Sequence, residues 1–155
     1  MRLLPRLLPL AAFPALLAFG LGAAQPALGQ GGDPAQIIRD RREGLRAIGQ
    51  HMEAMQALAQ SRGDTRQALE RVDAIQAFFR TFTDRFPPNT QQGDTRALPA
   101  IWTDQAGFQR AAAAMTPVLA QLRQAAASGD PTAFGNAVRE TGATCGNCHR
   151  AYRAR

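Results

Sequence analysis

Four stretches of this chain place an apolar residue at every third or fourth position, and residues that helices exclude from their interiors separate them. Each stretch carries one apolar stripe and one polar face, so the stripes are buried only by packing helix against helix. Asp33-Pro34-Ala35-Gln36 opens the first, with Asp33 as cap, Pro34 at the first helical position and Gln36 three residues after the cap. Ile38, Leu45, Ile48, Met52, Met55 and Ala59 repeat along it and predict a helix over about 34–60. Gly63-Asp64 ends this pattern and caps the next, where Leu69, Val72, Ile75, Phe79 and Phe82 predict a helix over about 65–83.

From Phe86 to Pro99 the chain is punctuated by Pro87-Pro88, Asn89 and Gly93-Asp94, which predicts a long crossover with neither helix nor strand. Phe108, Ala111, Met115, Val118, Leu119 and Leu122 then predict a third helix over about 104–127, kinked at Pro117 because the apolar period continues across it. Ser128-Gly129-Asp130-Pro131 is a stop followed by a capped start. Phe134, Val138, Thr141, Cys145, Cys148 and Tyr152 continue the period over about 131–153. Short, long and short connections make this an all-α, antiparallel up-down-up-down four-helix bundle. The 155 residues allow one domain, and the scarcity of β-branched residues agrees with helix.

The N-terminal stretch reads differently. Met1–Arg6 is basic, Leu7–Ala24 is apolar, and Ala27-Leu28-Gly29 offers small side chains where a signal peptidase reads. Residues 1–29 are expected to be a cleaved signal peptide and residues 30–155 an exported, periplasmic domain with no membrane association after cleavage. A retained anchor is the alternative, since the apolar run with its flanks approaches spanning length. Loss of Arg2 and Arg6 lowers the formal net charge from +6 to +4. The remaining basic residues lack aromatic interleaving or a recognition-helix pattern, which argues against nucleic acid as a partner.

The chemistry gathers at the C-terminus. Cys145-Gly146-Asn147-Cys148-His149 is the C-x-x-C-H pattern of c-type haem attachment. Two thiols three residues apart on a helix can bond to the haem edge while the adjacent imidazole reaches the iron. A thioredoxin-like dithiol lacks its βαβ context, zinc lacks further ligands beyond the distant His51, and a disulfide within a helix is strained. No carboxylate pair or nucleophile arrangement marks a classical enzyme.

The chain resembles the class II c-type cytochromes, specifically the cytochrome c-prime family, over essentially residues 30–155. The resemblance rests on Cys145-x-x-Cys148-His149-x-x-Tyr152-Arg153 at the C-terminus, the Asp-Pro opening of the first helix, Arg41 ten residues before His51, and Pro99-Ala100-Ile101-Trp102 before the third helix. It implies one haem c per chain, with Cys145 and Cys148 as thioether attachments, His149 as axial iron ligand and Arg153 as the basic residue beside the proximal face. It also implies that Arg41, with Arg42 as neighbouring candidate, meets a haem propionate; a solvated charged face is the alternative.

By the same resemblance, Leu45 stands where a methionine gives a six-coordinate, low-spin electron carrier and a non-coordinating aliphatic gives five-coordinate, high-spin iron. Leucine has no atom that binds iron, so the implied function is binding of nitric oxide and carbon monoxide, electron transport with a partner the sequence does not name, and protection against nitric oxide. The alternative is a low-spin cytochrome that only carries electrons, with Met52 or Met55 as ligand. Both methionines are otherwise core fillers, His51 is expected to be structural or superficial, and Trp102 to plug the base of the bundle. Asp94 and Thr95 lie in a loop whose spacing differs from the family's and receive no assignment. The family also implies a homodimer through the first two helices.

Overall fold

The computed structural model describes residues 32–155, so the expected signal peptide over 1–29 lies outside the described residues. The chain forms α1 (Pro34–Ser61), α2 (Leu69–Phe79), a short α3 (Ala100–Thr103), α4 (Gln105–Ala113), α5 (Met115–Ser128) and α6 (Pro131–Tyr152). Neighbours close into a ring: α1 packs on α2, α2 on α5, α5 on α6 and α6 on α1, which is the four-helix bundle expected. Among the described residues there is no strand beyond an isolated antiparallel bridge, Ala97 to Arg153, and no helix long and apolar enough to cross a membrane.

Local chemistry sets most of the boundaries. The Asp33 side chain accepts from Ala35 N at the start of α1, and Asp130 accepts from Thr132 N and Ala133 N at the start of α6. Proline follows each cap, where its missing N–H costs nothing. Gly129 closes α5 in the left-handed region at φ 77°, whereas Arg62 does the same work after α1 at φ 53° without glycine's freedom.

Two predicted helices differ in detail. The second begins as a 3-10 turn over Thr65–Ala68, because Thr65 Oγ1 turns inward to donate to the Ala126 carbonyl at 2.8 Å. It ends at Phe79 rather than about 83. Phe79 and Phe82 then pack with centroids 4.9 Å apart, and Phe82 reaches Phe108 at 5.7 Å, so aromatic packing overrides the local period. The third is divided into α4 and α5 at Ala114, one turn before Pro117. Proline brings no N–H to the Ala113 carbonyl and its ring crowds that carbonyl, so the perturbation falls upstream of the residue that causes it. Ala114 stays helical at φ −60° and ψ −22°, so the run is interrupted and not reversed.

The crossover is not featureless: Pro88–Thr90 makes a 3-10 turn, Ala100–Thr103 is helical, and Ala97 joins the bridge to Arg153. Two apolar clusters result. The main core joins Met55, Val72, Leu119, Leu122 and Phe134 between the four long helices, each at most 1% exposed. Burying each of these side chains is worth about 1.5–3 kcal/mol. The second cluster gathers Phe82, Ile101 and Phe108 with Phe86, Trp102 and Tyr152 at the end of the bundle where the crossover passes.

Candidate functional site

α6 carries the site because its helix runs uninterrupted from the Asp130 cap to Tyr152. Cys145 and Cys148, three residues apart, therefore share one face, and His149 follows directly. Both cysteines are free and half-buried. All three side chains line a cleft of about 570 Å³ between α6 and α1. Burial pushes both thiols up from their ordinary pKa, and at Cys148 the neighbouring Cys145 adds to the effect. The His149 imidazole is pushed down, first by removal from water and then by the Arg153 charge, which favours the neutral ring that can ligate a metal.

The α1 wall presents Leu45, Ile48, Gly49 and Met52 in helical period. Leu45 is 37% exposed, the one exposed large hydrophobic among the described residues, and it is exposed inside this cleft. Gly49 and Gly142 line opposite helices, and a Cβ at either would meet nothing within 4 Å. Phe79, Phe82, Phe108 and Met115 add apolar walls from α2, α4 and α5 and the turns beside them. The result is an open slot between apolar walls, with two thiols and an imidazole on one side.

Arg41 is only 2% exposed, and its terminal nitrogens are spent on the crossover loop. It donates to the Arg85 carbonyl at 3.0 Å, to Thr90 Oγ1 at 3.0 Å, to the Thr90 carbonyl at 3.4 Å and to Thr95 Oγ1 at 2.9 Å. Its guanidinium also lies 4.4 Å from the Phe86 ring centre. Desolvation lowers its pKa from the ordinary arginine value. Arg41 thus lines the cleft while pinning the loop. Arg42 pairs with Asp94, accepting exposure to do so. Thr95 and Asp94, left without assignment from the sequence, are the loop ends of these two arginines.

The far side of the loop is stapled to the C-terminus. Leu98 N donates to the Tyr152 carbonyl at 3.0 Å, Ala154 N to the Arg96 carbonyl at 2.8 Å, and Arg153 lies in extended backbone opposite Ala97. Tyr152 Oη donates to Asp104 Oδ2 at 3.1 Å, while Asp104 Oδ1 caps α4 by accepting from Gly107 N. A Cβ at Gly107 would sit 2.0 Å from Asp104 Oδ2 and 2.5 Å from the phenol oxygen, so glycine is what lets α4 and α6 meet there.

Cys145, Cys148, His149, Arg153, Leu45, Arg41 and Arg42 thus come together around one cleft. Met52 also lines it, whereas Met55 is fully buried in the main core. His51 lies elsewhere, its Nδ1 3.4 Å from Arg71. Trp102 donates through Nε1 to the Phe86 and Pro87 carbonyls and packs on Phe86 under the loop. Sequence reasoning missed Gly49 and Gly142, although Gly49 falls one turn after Leu45 and Gly142 one turn before Cys145. It also missed the Tyr152–Asp104–Gly107 contact, which joins residues 48 apart and has no local signal.

A family model described as Cytochrome C' matches residues 36–153. The chain belongs to the cytochrome c′ family. Cytochrome c′ of Rubrivivax gelatinosus is 31% identical over 123 residues, covering 77% of this chain and 95% of that protein. Its crystal structure superposes with a TM-score of 0.72 over 80% of this chain and 99% of that one. A nitric oxide complex of a single-site variant of cytochrome c prime from Alcaligenes xylosoxidans is 27% identical and superposes with a TM-score of 0.71, covering 80% and 98%. A cytochrome c-556 of Agrobacterium tumefaciens is 32% identical, covering 74% and 94%.

Members of the cytochrome c′ family carry a covalently attached haem c, and it is the cofactor of this chain. The cleft fits such a group on its own chemistry. Two glycines leave room between the walls, an exposed leucine faces the space, and the charged side chains that line it are five arginines with no acidic residue, which suits a flat apolar group that bears carboxylates.

Proposed function

We propose that the protein is a periplasmic cytochrome whose haem is held through Cys145, Cys148 and His149, that it binds nitric oxide and carbon monoxide beneath Leu45, and that it also carries electrons. The observation that carries this reading is the convergence of two free thiols, an imidazole and an exposed leucine on one apolar cleft. When bound, the haem iron supplies a coordination position for a small gas and a one-electron couple.

The chain's own residues set the selectivity. Cys145 and Cys148 fix the group at one edge, and His149 offers a nitrogen from the same helix face. Leu45 offers no donor or ligating atom, so it favours small neutral diatomics over charged ligands and must be displaced for one to enter. Arg153, in extended backbone just past the end of α6, supplies a positive charge beside His149. Arg41 and Arg42 hold the crossover loop against α1, which fixes that wall of the cleft.

Absorption spectra of the purified, haem-loaded protein, ferric and ferrous, with and without carbon monoxide, test the reading. High-spin spectra that shift sharply with the gas support five-coordinate iron. Met52 and Met115 also line the cleft and favour a second reading, a six-coordinate electron carrier. Low-spin ferrous spectra indifferent to the gas would establish that one instead. Periplasmic export rests on the sequence pattern of residues 1–29 and is tested by sequencing the N-terminus of protein secreted from a bacterial host. The homodimer implied by the family is tested by sedimentation; the single exposed large hydrophobic among the described residues, Leu45, lies in the cleft and gives it no support.

A further inference from the structure

Every one of the 18 Lys and Arg positions in this chain is arginine. The guanidinium fork matches a carboxylate through two parallel hydrogen bonds, which an ammonium cannot do. Arg41, Arg42, Arg46, Arg96 and Arg153 line the cleft, and no Asp or Glu does. Arg41 is committed to the loop and Arg42 to Asp94. Arg46, Arg96 and Arg153 are exposed and take part in none of the ion pairs found among the described residues.

The fold adds charge beside them. The bond from Ala154 N to the Arg96 carbonyl holds Arg96 against the terminal strap, where Arg155 follows, and exposed Arg150 sits on the last turn of α6 bonded only to Asn147. The two propionates of a haem are fewer than the three unpaired cleft arginines, so the mouth stays positive when the cofactor is in place. Such a cluster at the opening of the cleft would steer a negatively charged partner to that opening.

We propose that the mouth of the cleft docks the acidic face of a one-electron redox protein, whose carboxylates meet Arg46, Arg96 and Arg153. This rests on the haem reading above. The transfer is one electron from the partner, which is oxidised, to the ferric protein, which is reduced, with no bond made or broken.

Reduction of the ferric holoprotein by fully reduced flavodoxin, an acidic donor, followed by stopped flow, tests it. The second-order rate constant is expected to fall about tenfold as salt rises from about 20 to 200 mM. The double variant Arg46→Glu/Arg96→Glu should slow the low-salt reaction about tenfold and flatten the salt dependence. Arg139→Glu makes a smaller charge change on an exposed part of α6 away from the cleft, and should stay within about twofold of the parent.

A parent rate independent of salt overturns the proposal, and needs no variant to fold. So does an Arg139→Glu effect at least half that of the double variant, which would mean net charge alone. Salt and variant effects confined to oxidation by ferricyanide, and absent with flavodoxin, also overturn it in favour of a small-anion site. None of these outcomes alters the carbon monoxide spectra, so failure here is distinct from failure of the haem assignment.

Discussion

Replacing Arg41 with methionine keeps the aliphatic stem and deletes the guanidinium that joins α1 to the crossover loop. Four acceptors lose their donor: the carbonyls of Arg85 and Thr90 and the hydroxyls of Thr90 and Thr95. The hydroxyls have other bonds, since Thr90 Oγ1 still donates to the Pro87 carbonyl and Thr95 Oγ1 still accepts from Ala97 N. The two carbonyls are stranded, at about 1–3 kcal/mol each for an acceptor shut away from water. Loss of the cation over Phe86 adds about 0.5–1 kcal/mol. Against this, the folded state no longer desolvates a charge, which offsets several kcal/mol at most.

The net expectation for Arg41→Met is a loss of about 3 kcal/mol in urea unfolding of the holoprotein, followed by far-UV circular dichroism. Thr90→Val should cost about 1–2 kcal/mol alone, and about 1 kcal/mol less in the Arg41→Met background, because the shared bond is already gone. Hydrogen exchange should accelerate selectively in the amides of Thr95 and Ala97. A destabilisation below about 1 kcal/mol, with additive variants, would refute the assignment of Arg41 as the pin of the loop. Loss of haem from a protein that unfolds normally would instead make Arg41 a holder of the cofactor.

Leu45→Ala opens the cleft where a ligand must enter, so carbon monoxide titration should show tighter binding, and unchanged affinity would remove Leu45 from the mechanism. Arg62→Gly relieves a side chain held at φ 53° and should raise stability by about 0.5–1 kcal/mol in thermal unfolding. Burial and the hydrogen bond to Asp104 raise the pKa of Tyr152 above its ordinary value near 10. Because the folded-state value is the higher one, this stabilisation is present below the unfolded pKa and disappears as pH rises through the folded one. The chain's single tyrosine makes the carbon NMR titration unambiguous: the midpoint should lie above the free value and move down in Asp104→Asn, which keeps the α4 cap.

The C-x-x-C-H signature and the helix caps are local chemistry, and they were legible because local chemistry is written in consecutive residues. Asp33-Pro34 and Asp130-Pro131 start helices wherever they occur, and α1 and α6 run within a residue of the predicted bounds. The apolar period told which face of each helix is buried, and so the bundle. Where the prediction departs from the structure, distant residues compete with the local signal: Phe82 lies beyond the end of α2 and packs on Phe108, and Pro117 acts through the carbonyl of Ala113.

The residues that hold the haem motif and the leucine at a cleft were a different matter. From the sequence, Arg41 had either a haem propionate, by resemblance, or a solvated charged face, and no local signal said what it meets. Tertiary structure decided that, bringing Thr90 and Thr95 to it across some fifty residues of chain, and it also set Asp104 against Tyr152 through the one glycine that allows the approach. A cap or a stripe depends on neighbours within a turn, whereas the width of a cleft and the partner of a buried cation depend on loop closure. That closure is chosen by the summed packing of the whole bundle, which no short window of sequence contains.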